Sequence, residues 1–143
     1  MEGVAIVNGT ELPLDRAGIS VTDPGFTLGW SVFETLVAVS GIPDNLGAHL
    51  DRLDLSCHEA AVPPHDREEL ERDVHIAARK IKGHARIRVT LTAGGTRVIV
   101  ATPLDTERRH RAVVAVRGVW REDPYLPGFV KHGSRASWSV AVA

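Results

Sequence analysis

A short apolar run followed by an Asn-Gly pair predicts a β-hairpin at the start of the chain. Residues 4–7 are apolar, residues 10–12 are Thr-Glu-Leu, and Asn8 and Gly9 lie between the two runs. An Asn-Gly pair favours a type I′ turn, because both residues adopt positive φ more readily than most others. The pattern therefore predicts two short antiparallel strands joined by a tight turn.

Longer strand patterns lie further along the chain. Residues 31–39 become strand-like after a stretch punctuated by glycine, and residues 85–92 alternate with a period of two. Residues 97–102 return after a glycine turn at 93–95, and residues 112–116 form a further apolar run of strand length. We expect these segments to belong to one mostly antiparallel sheet.

Two segments between these strands have the period of amphipathic helices. The first follows Asp44 and Asn45, either of which can cap a helix, and ends before Pro63. The second begins after Asp66, with Glu69 three residues on, as in a capping box. The apolar positions are Leu46, Leu50, Leu53, Cys57 and Ala60 in the first helix, and Leu70, Val74, Ala77, Ala78 and Ile81 in the second.

The order of these elements indicates an α+β fold. Three strands, two helices and three further strands are typical of two helices that cover one face of a mostly antiparallel sheet. With 143 residues, of which 43% are hydrophobic, the chain is long enough and apolar enough to enclose a core.

Charge and cysteine content narrow the functional classes. The net charge is −1, so the whole chain offers no electrostatic case for nucleic acid or an anionic membrane as a partner. No apolar run reaches the length of a membrane span, and the N-terminus lacks the pattern of a signal peptide. The single cysteine, Cys57, occupies an apolar helical position, as a buried hydrophobe does. A cytoplasmic protein is therefore expected.

Lys131 has unusual neighbours for a lysine. Phe129 and Val130 precede it, and Gly133 and Ser134 follow shortly after. These neighbours suggest a side chain at a cavity wall, where burial favours the neutral amine that attacks a carbonyl carbon. A connection whose lysine simply faces water explains the same residues, and this segment taken alone favours that interpretation.

Four segments resemble motifs of a known enzyme family. Residues 23–36, 49–56, 86–94 and 130–136 follow one another in the family's order and at plausible spacings. Together they resemble the fold-type IV pyridoxal-phosphate enzymes: the class IV aminotransferases, including branched-chain and D-amino-acid aminotransferase, and the related aminodeoxychorismate lyase. The resemblance covers nearly the whole chain.

The resemblance implies roles for two cationic residues. Lys131 falls where the family places its Schiff-base lysine, so it would bind pyridoxal 5′-phosphate (PLP) covalently and move the proton at the substrate α-carbon. Arg52 would bind the cofactor phosphate. An alternative for Arg52 is a solvated arginine paired with Asp51 or Asp54. His49, one turn from Arg52, is expected to be a packing residue or to contact a residue of the site without touching the ligand.

The resemblance also implies a substrate pocket, although the sequence departs from the family there. Phe33 falls at the position of a pocket aromatic, and Arg88 could bind a substrate carboxylate; a core aromatic and an ordinary strand arginine are the alternatives. Residues 29–31 are Gly-Trp-Ser where the family commonly has Gly-Asp-Gly, and Ala93 stands where several members have arginine. Glu34 is interpreted as a structural partner.

The family's architecture implies a domain division. We expect an N-terminal α+β domain over residues 1–120, a linker over 121–130, and the beginning of a cofactor-binding C-terminal domain over 131–143. That beginning would comprise the first strand of the second domain and the start of a helix over residues 134–143. Most of that second domain, which supplies a glutamate to the pyridine nitrogen in the family, would be lacking. The chain is then a fragment, a half completed by a second chain, or a degenerate relative. A homodimer is expected, because a loop of the neighbouring subunit completes the family's sites.

The predicted function is PLP-dependent transfer of an amino group between an amino acid and a 2-keto acid. One alternative is an aminodeoxychorismate lyase, which releases pyruvate and 4-aminobenzoate with the same lysine. A second alternative is a truncated, catalytically inactive family member. No metal is expected, because the seven histidines do not fall at metal-ligand spacings.

Overall fold

The computed structural model describes residues 2–106 and 125–133, which form an antiparallel sheet and three helices. The α+β class predicted from the sequence is confirmed. The elements are β1 (Val4–Val7), β2 (Thr10–Pro13), α1 (Pro24–Thr27), β3 (Ser31–Val39), β4 (Ile42–Pro43), α2 (Leu46–Glu59), α3 (Arg67–Arg79), β5 (His84–Thr92) and β6 (Arg97–Pro103).

The six strands lie in the order β2-β1-β6-β5-β3-β4, and each strand in this part of the chain pairs with its neighbours antiparallel. Asn8 and Gly9 have φ values of 48° and 82°, so the predicted tight turn between β1 and β2 is confirmed. The sequence pattern missed β4, in which residues 42–43 fold back on the end of β3 after a turn at Ser40 and Gly41.

Helices α2 and α3 pack on one face of the sheet, as predicted. Leu50 and Leu53 of α2 and Leu70 and Val74 of α3 are completely buried, because their spacing places them on the sheet-facing sides of the two helices. The side chain of Asp66 accepts a hydrogen bond from Glu69 N–H at 3.0 Å, which confirms the predicted cap of α3.

The N-terminal caps of the two helices differ. Asn45 occupies the cap position of α2 in a left-handed conformation, and its side chain makes no capping hydrogen bond within the described residues. The predicted start of α2 is therefore correct, but the Asn45 side chain does not form the expected capping hydrogen bond with the described residues.

A short helical turn, which the sequence pattern did not predict, lies in the glycine-punctuated stretch before β3. Asp23 caps α1 by accepting a hydrogen bond from Gly25 N–H at 2.6 Å. Its buried carboxylate also accepts hydrogen bonds from the hydroxyls of Thr92 and Thr96, at 2.8 and 2.6 Å. Gly94 lies so close that a Cβ there would come within 2.6 Å of Asp23 Cγ. These contacts attach α1 to the turn between β5 and β6.

Some sequence predictions fall outside the described residues. The predicted strand over 112–116 and the short helix start after residue 133 are among them, so the division into domains at residues 120 and 130 stays a prediction. Within residues 2–106 and 125–133, no helix is long and apolar enough to cross a membrane.

Candidate active site

A buried carboxylate on β3 contacts three nitrogen-bearing side chains. Glu34 is completely buried, and its Oε1 accepts a hydrogen bond from Arg52 Nε at 2.6 Å. Its Oε2 accepts one from Arg52 Nη2 at 2.6 Å, and lies 2.9 Å from His49 Nδ1 and 3.3 Å from Lys131 Nζ. We call these four residues the Glu34 cluster.

Strand β3 and helix α2 place three members of the cluster. Side chains alternate along a strand, so Glu34 points to the same face as the buried Val32 and Leu36, toward the helices. His49 and Arg52 are three residues apart on α2 and therefore project from the same side of that helix. The packing of α2 on the sheet thus brings both nitrogen-bearing groups to the carboxylate.

Backbone hydrogen bonds hold Lys131 beside the start of β3. The N–H of Phe33 donates to the carbonyl of Lys131 at 2.8 Å, and His132 pairs with Val32 in an antiparallel bridge. The Lys131 side chain is one-third exposed. It contacts Glu34 and is therefore not directed fully into water, as one of the two interpretations of this segment required.

The Glu34 cluster carries surplus positive charge. Burial raises the pKa of the Glu34 carboxyl, but hydrogen bonds from Arg52 and His49 and the charge of Lys131 outweigh burial and lower the pKa to about 2. The hydrogen bond to Glu34 raises the pKa of Arg52. One anion thus stands against two cations whose side chains are 43% and 33% exposed. Such an arrangement attracts an anionic ligand.

Acid is expected to destabilise the fold through Glu34. Because its pKa is about 2 in the folded chain and 4.5 ordinarily, its stabilising contribution is complete above 4.5 and is lost as the pH falls toward 2. The full loss is expected to be on the order of 3 kcal/mol. Urea unfolding at several pH values between 6 and 2.5 measures it, and Glu34→Gln, which has no carboxyl to titrate, is the control. The same pH dependence in both proteins would contradict the expectation.

Arg52 binds Glu34 through one edge of its guanidinium. Nε and Nη2 face Glu34, whereas Nη1 makes no hydrogen bond to any residue within 2–106 or 125–133. The alternative pairing with Asp51 or Asp54 is not adopted, because both carboxylates bind Arg67 instead, at 2.8 and 2.7 Å. Whether Arg52 binds a phosphate stays a prediction that this geometry permits.

The two predicted substrate residues lie together on the other face of β3. Phe33 precedes Glu34 and so points away from the helices. The guanidinium carbon of Arg88 lies 3.7 Å from the centroid of the Phe33 ring, a cation–π contact, and Phe33 is 5% exposed. The structure thus pairs Lys131 with Arg52, and Phe33 with Arg88, on opposite faces of one strand.

The central position of Glu34 was not predicted from the sequence, whereas the contact of His49 with Glu34 agrees with one of the two roles expected for His49. One signal could have revealed it: Glu34 is the only charged residue in a nine-residue strand of otherwise apolar or small polar residues. A carboxylate in such a strand is seldom buried without charged partners. The identity of those partners depends on how α2 and the segment near Lys131 pack, which no local pattern shows.

The unusual residues before β3 have a structural explanation. The indole N–H of Trp30 donates to the carbonyl of Ala60 at 2.7 Å, at the C-terminal end of α2. The carbonyl of Trp30 in turn accepts a hydrogen bond from Ala93 N–H at 2.9 Å. Trp30 therefore links α2 to the turn between β5 and β6, and its indole contact with α2 is one that glycine or aspartate could not make.

Comparison with protein families identifies the class to which this fold and site belong. Residues 31–137 match the family described as amino-transferase class IV. The match covers most of the chain and includes all four residues of the Glu34 cluster. The chain belongs to the class IV aminotransferase family, as the four sequence motifs indicated. Comparison with curated protein sequences gives no significant match.

Solved structures of aminotransferases share the fold. The branched-chain amino acid aminotransferase of Escherichia coli is 21% identical with a TM-score of 0.74, over 98% of this chain and 54% of that one. A PLP-bound hypothetical aminotransferase from Mycobacterium tuberculosis is 21% identical with a TM-score of 0.67, over 74% and 41%. A branched-chain aminotransferase from Thermoproteus uzoniensis with norvaline is 21% identical with a TM-score of 0.63, over 73% and 42%. The chain spans about half of these relatives or less.

Proposed function

We propose that Lys131 and Arg52 form part of a PLP site in an aminotransferase that moves an amino group between an amino acid and a 2-keto acid. The observation that carries the proposal is that both cations contact one buried carboxylate oxygen, Glu34 Oε2, and therefore lie side by side. Membership of the family supports the same function. So do the PLP in the M. tuberculosis relative and the norvaline in the archaeal one.

The chemistry of these side chains fits the cofactor. PLP has a carbonyl carbon that an amine can attack and a phosphate that a guanidinium can bind through parallel hydrogen bonds. Lys131 offers the amine, and Arg52 offers the edge that carries Nη1, which is not engaged by the described residues. The surplus positive charge of the Glu34 cluster also suits an anionic ligand.

Each residue would then have a distinct task. When bound, the cofactor would supply an electron sink for the negative charge that develops at the substrate α-carbon. Arg52 would hold the phosphate and so fix the position of the ring. Lys131 would hold the carbonyl carbon and, with its amine free, carry a proton to and from the α-carbon.

Arg88 and Phe33 are proposed to form the substrate side of the site. The guanidinium of Arg88 lies over the face of the Phe33 ring. A guanidinium in this position directs its N–H groups parallel to the ring, as binding of a carboxylate requires. Arg88→Met is expected to raise the KM for the amino acid about 10- to 100-fold, the loss of a hydrogen-bonded charge pair, with a smaller effect on kcat. Steady-state kinetics with varied amino acid measure both. An unchanged KM would leave Arg88 without this role.

We also propose that the protein forms a homodimer. Val21, Phe26 and Leu28 are 74%, 64% and 71% exposed, although all three are large and apolar and lie within eight residues of one another. Large exposed apolar side chains that are close together in the sequence favour an interface in this segment. Sedimentation equilibrium measures the mass in solution, and a monomer at micromolar concentration would contradict the proposal.

Adding PLP to the purified protein tests the proposed function. A visible absorption band of lysine-bound cofactor is expected, and Lys131→Ala should lack it. The chain has only three lysines, Lys80, Lys82 and Lys131, so Lys82→Ala is the matched control and should keep the band. Amino transfer is then followed with branched-chain amino acids as donors and α-ketoglutarate as acceptor. A further M. tuberculosis aminotransferase structure contains α-ketoglutarate.

The outcomes separate the alternatives. Glutamate formed only when both substrates are present supports an aminotransferase. If pyruvate and 4-aminobenzoate are formed from aminodeoxychorismate without a keto acid, the protein is a lyase and not an aminotransferase. No band, or a band that persists in Lys131→Ala, would contradict a PLP enzyme and favour a cofactor-free domain.

A further inference from the structure

We propose that Glu34 is a positioning residue of this site: its carboxylate fixes the plane of the Arg52 guanidinium so that the outer edge of that group meets the phosphate of the ligand. The inference rests on the proposed function, since it concerns the same site, and it assigns to Glu34 a task that neither the sequence motifs nor the predicted site residues contained. Its support lies in four contacts and in the burial of Glu34.

The geometry of the Arg52 contact restricts the guanidinium. Nε donates to Oε1 and Nη2 donates to Oε2 of Glu34, both at 2.6 Å. Two parallel hydrogen bonds between planar groups fix both the position and the plane of the guanidinium, which one bond would not. Arg52 is 43% exposed, so without Glu34 its long side chain would sample several rotamers.

The fixed orientation determines which donors remain for a ligand. With Nε and Nη2 directed at Glu34, and Nη2 also 3.3 Å from His49 Nδ1, the donors that no described residue contacts are the two N–H groups of Nη1. They lie in the plane of the guanidinium, on the side away from Glu34, and can bind the oxygens of a phosphate. Glu34 thus selects the edge that Arg52 offers.

Glu34 itself has no capacity left for direct contact with a ligand. A carboxylate has about four acceptor positions, and Glu34 has four nitrogen contacts: two from Arg52, one from His49 and one from Lys131. It is completely buried. Its pKa of about 2 keeps it ionised at neutral pH, so it is a poor proton acceptor for Lys131. Glu34 therefore acts through its neighbours and not on the reacting atoms.

Comparing PLP with pyridoxal, which lacks the phosphate, isolates this role. Glu34→Gln keeps the size of the side chain but replaces one acceptor oxygen by a donor, so the paired contact with Arg52 is lost. Kd is measured for both ligands from the visible band or from quenching of tryptophan fluorescence. In Glu34→Gln the Kd for PLP is expected to rise about 10-fold or more, the value of one charged hydrogen bond. The Kd for pyridoxal should change by a much smaller factor.

A double variant tests whether the effect passes through Arg52. Arg52→Gln should itself weaken PLP selectively, and Glu34→Gln/Arg52→Gln should bind PLP no more weakly than Arg52→Gln alone. Because Glu34 is buried, a variant could fail to fold, so thermal unfolding of each variant is followed by circular dichroism to establish that it is folded. Glu34→Asp, which retains the charge on a shorter side chain, is measured as well and should recover part of the affinity for PLP.

The results discriminate between the two proposals. A selective, non-additive loss for PLP supports a positioning role for Glu34. Equal losses for PLP and pyridoxal in folded Glu34→Gln or Glu34→Asp, or losses that add in the double variant, would overturn it while leaving the PLP site in place. If the unchanged protein binds neither ligand, the proposed function fails, and the role of Glu34 fails with it.

Discussion

Lys131→Ala is expected to lower the rate of amino transfer by a factor of about 100 to 10,000. The substitution removes the amine proposed to bind the cofactor carbonyl and to move the proton at the substrate α-carbon. Because the Lys131 side chain is one-third exposed and Glu34 keeps both hydrogen bonds from Arg52, the fold should persist. The rate is measured as glutamate formed from α-ketoglutarate with PLP in excess.

Two controls accompany this prediction. Lys82→Ala removes an exposed lysine just before β5, and its rate should equal that of the unchanged protein. A small primary amine such as methylamine should restore part of the activity of Lys131→Ala, because a free amine can enter the vacated space and carry the proton. Full activity of Lys131→Ala without added amine would show that another group moves the proton.

Arg97→Met is expected to lower the free energy of unfolding by about 3–5 kcal/mol, because it leaves a buried carboxylate without a cation. Arg97 on β6 contacts Asp73 on α3 through Nε at 2.9 Å and Nη2 at 2.8 Å. The side chains of the pair are only 12% and 6% exposed. The ion pair joins α3 to the sheet on which the Glu34 cluster is built, and urea unfolding measures its loss.

A second variant separates loss of the pair from loss of one partner. Arg97→Met/Asp73→Leu removes both charges and should recover most of the stability, since a buried ion pair contributes little beyond an apolar pair of similar size. Arg67→Met is the exposed control: Arg67 contacts Asp51, Asp54 and Glu71, all of which are more than one-third exposed, and its loss should cost less than about 1 kcal/mol. Equal losses for Arg97→Met and Arg67→Met would contradict the prediction.

Local chemistry explains what the sequence could predict. Asn8 and Gly9 specify a tight turn by their own backbone preferences, and the structure has that turn. Asp66 caps α3 through Glu69, three residues away. The alternation of residues 85–92 placed β5 correctly, because one face of that strand is buried. Each of these features depends on residues that are close in the sequence.

The Glu34 cluster could not be predicted in the same way. Its members lie 15, 18 and 97 residues from Glu34 along the chain. Only the packing of α2 on the sheet and the pairing of the segment near Lys131 with β3 bring them together. Family motifs named Lys131 and Arg52, but no motif indicated that one carboxylate holds both.

The same reason applies to the segment before β3. Asp23 is bound by Thr92 and Thr96, which lie 69 and 73 residues away, so the helical turn α1 depends on a contact with the distant turn between β5 and β6. Gly25 gives no local signal for this turn, because glycine is unfavourable within helices. The tertiary contact overrides that local preference.

Mapping the site of cofactor attachment tests the central claim most directly. Borohydride reduces a carbon–nitrogen double bond between PLP and a lysine to a stable linkage, which mass spectrometry then locates after proteolysis. The chain has three lysines, so PLP can be attached to only three lysine side chains. The account predicts the modification on Lys131 and on neither Lys80 nor Lys82. Attachment to Lys80 or Lys82 in place of Lys131, or no stable attachment, would contradict it.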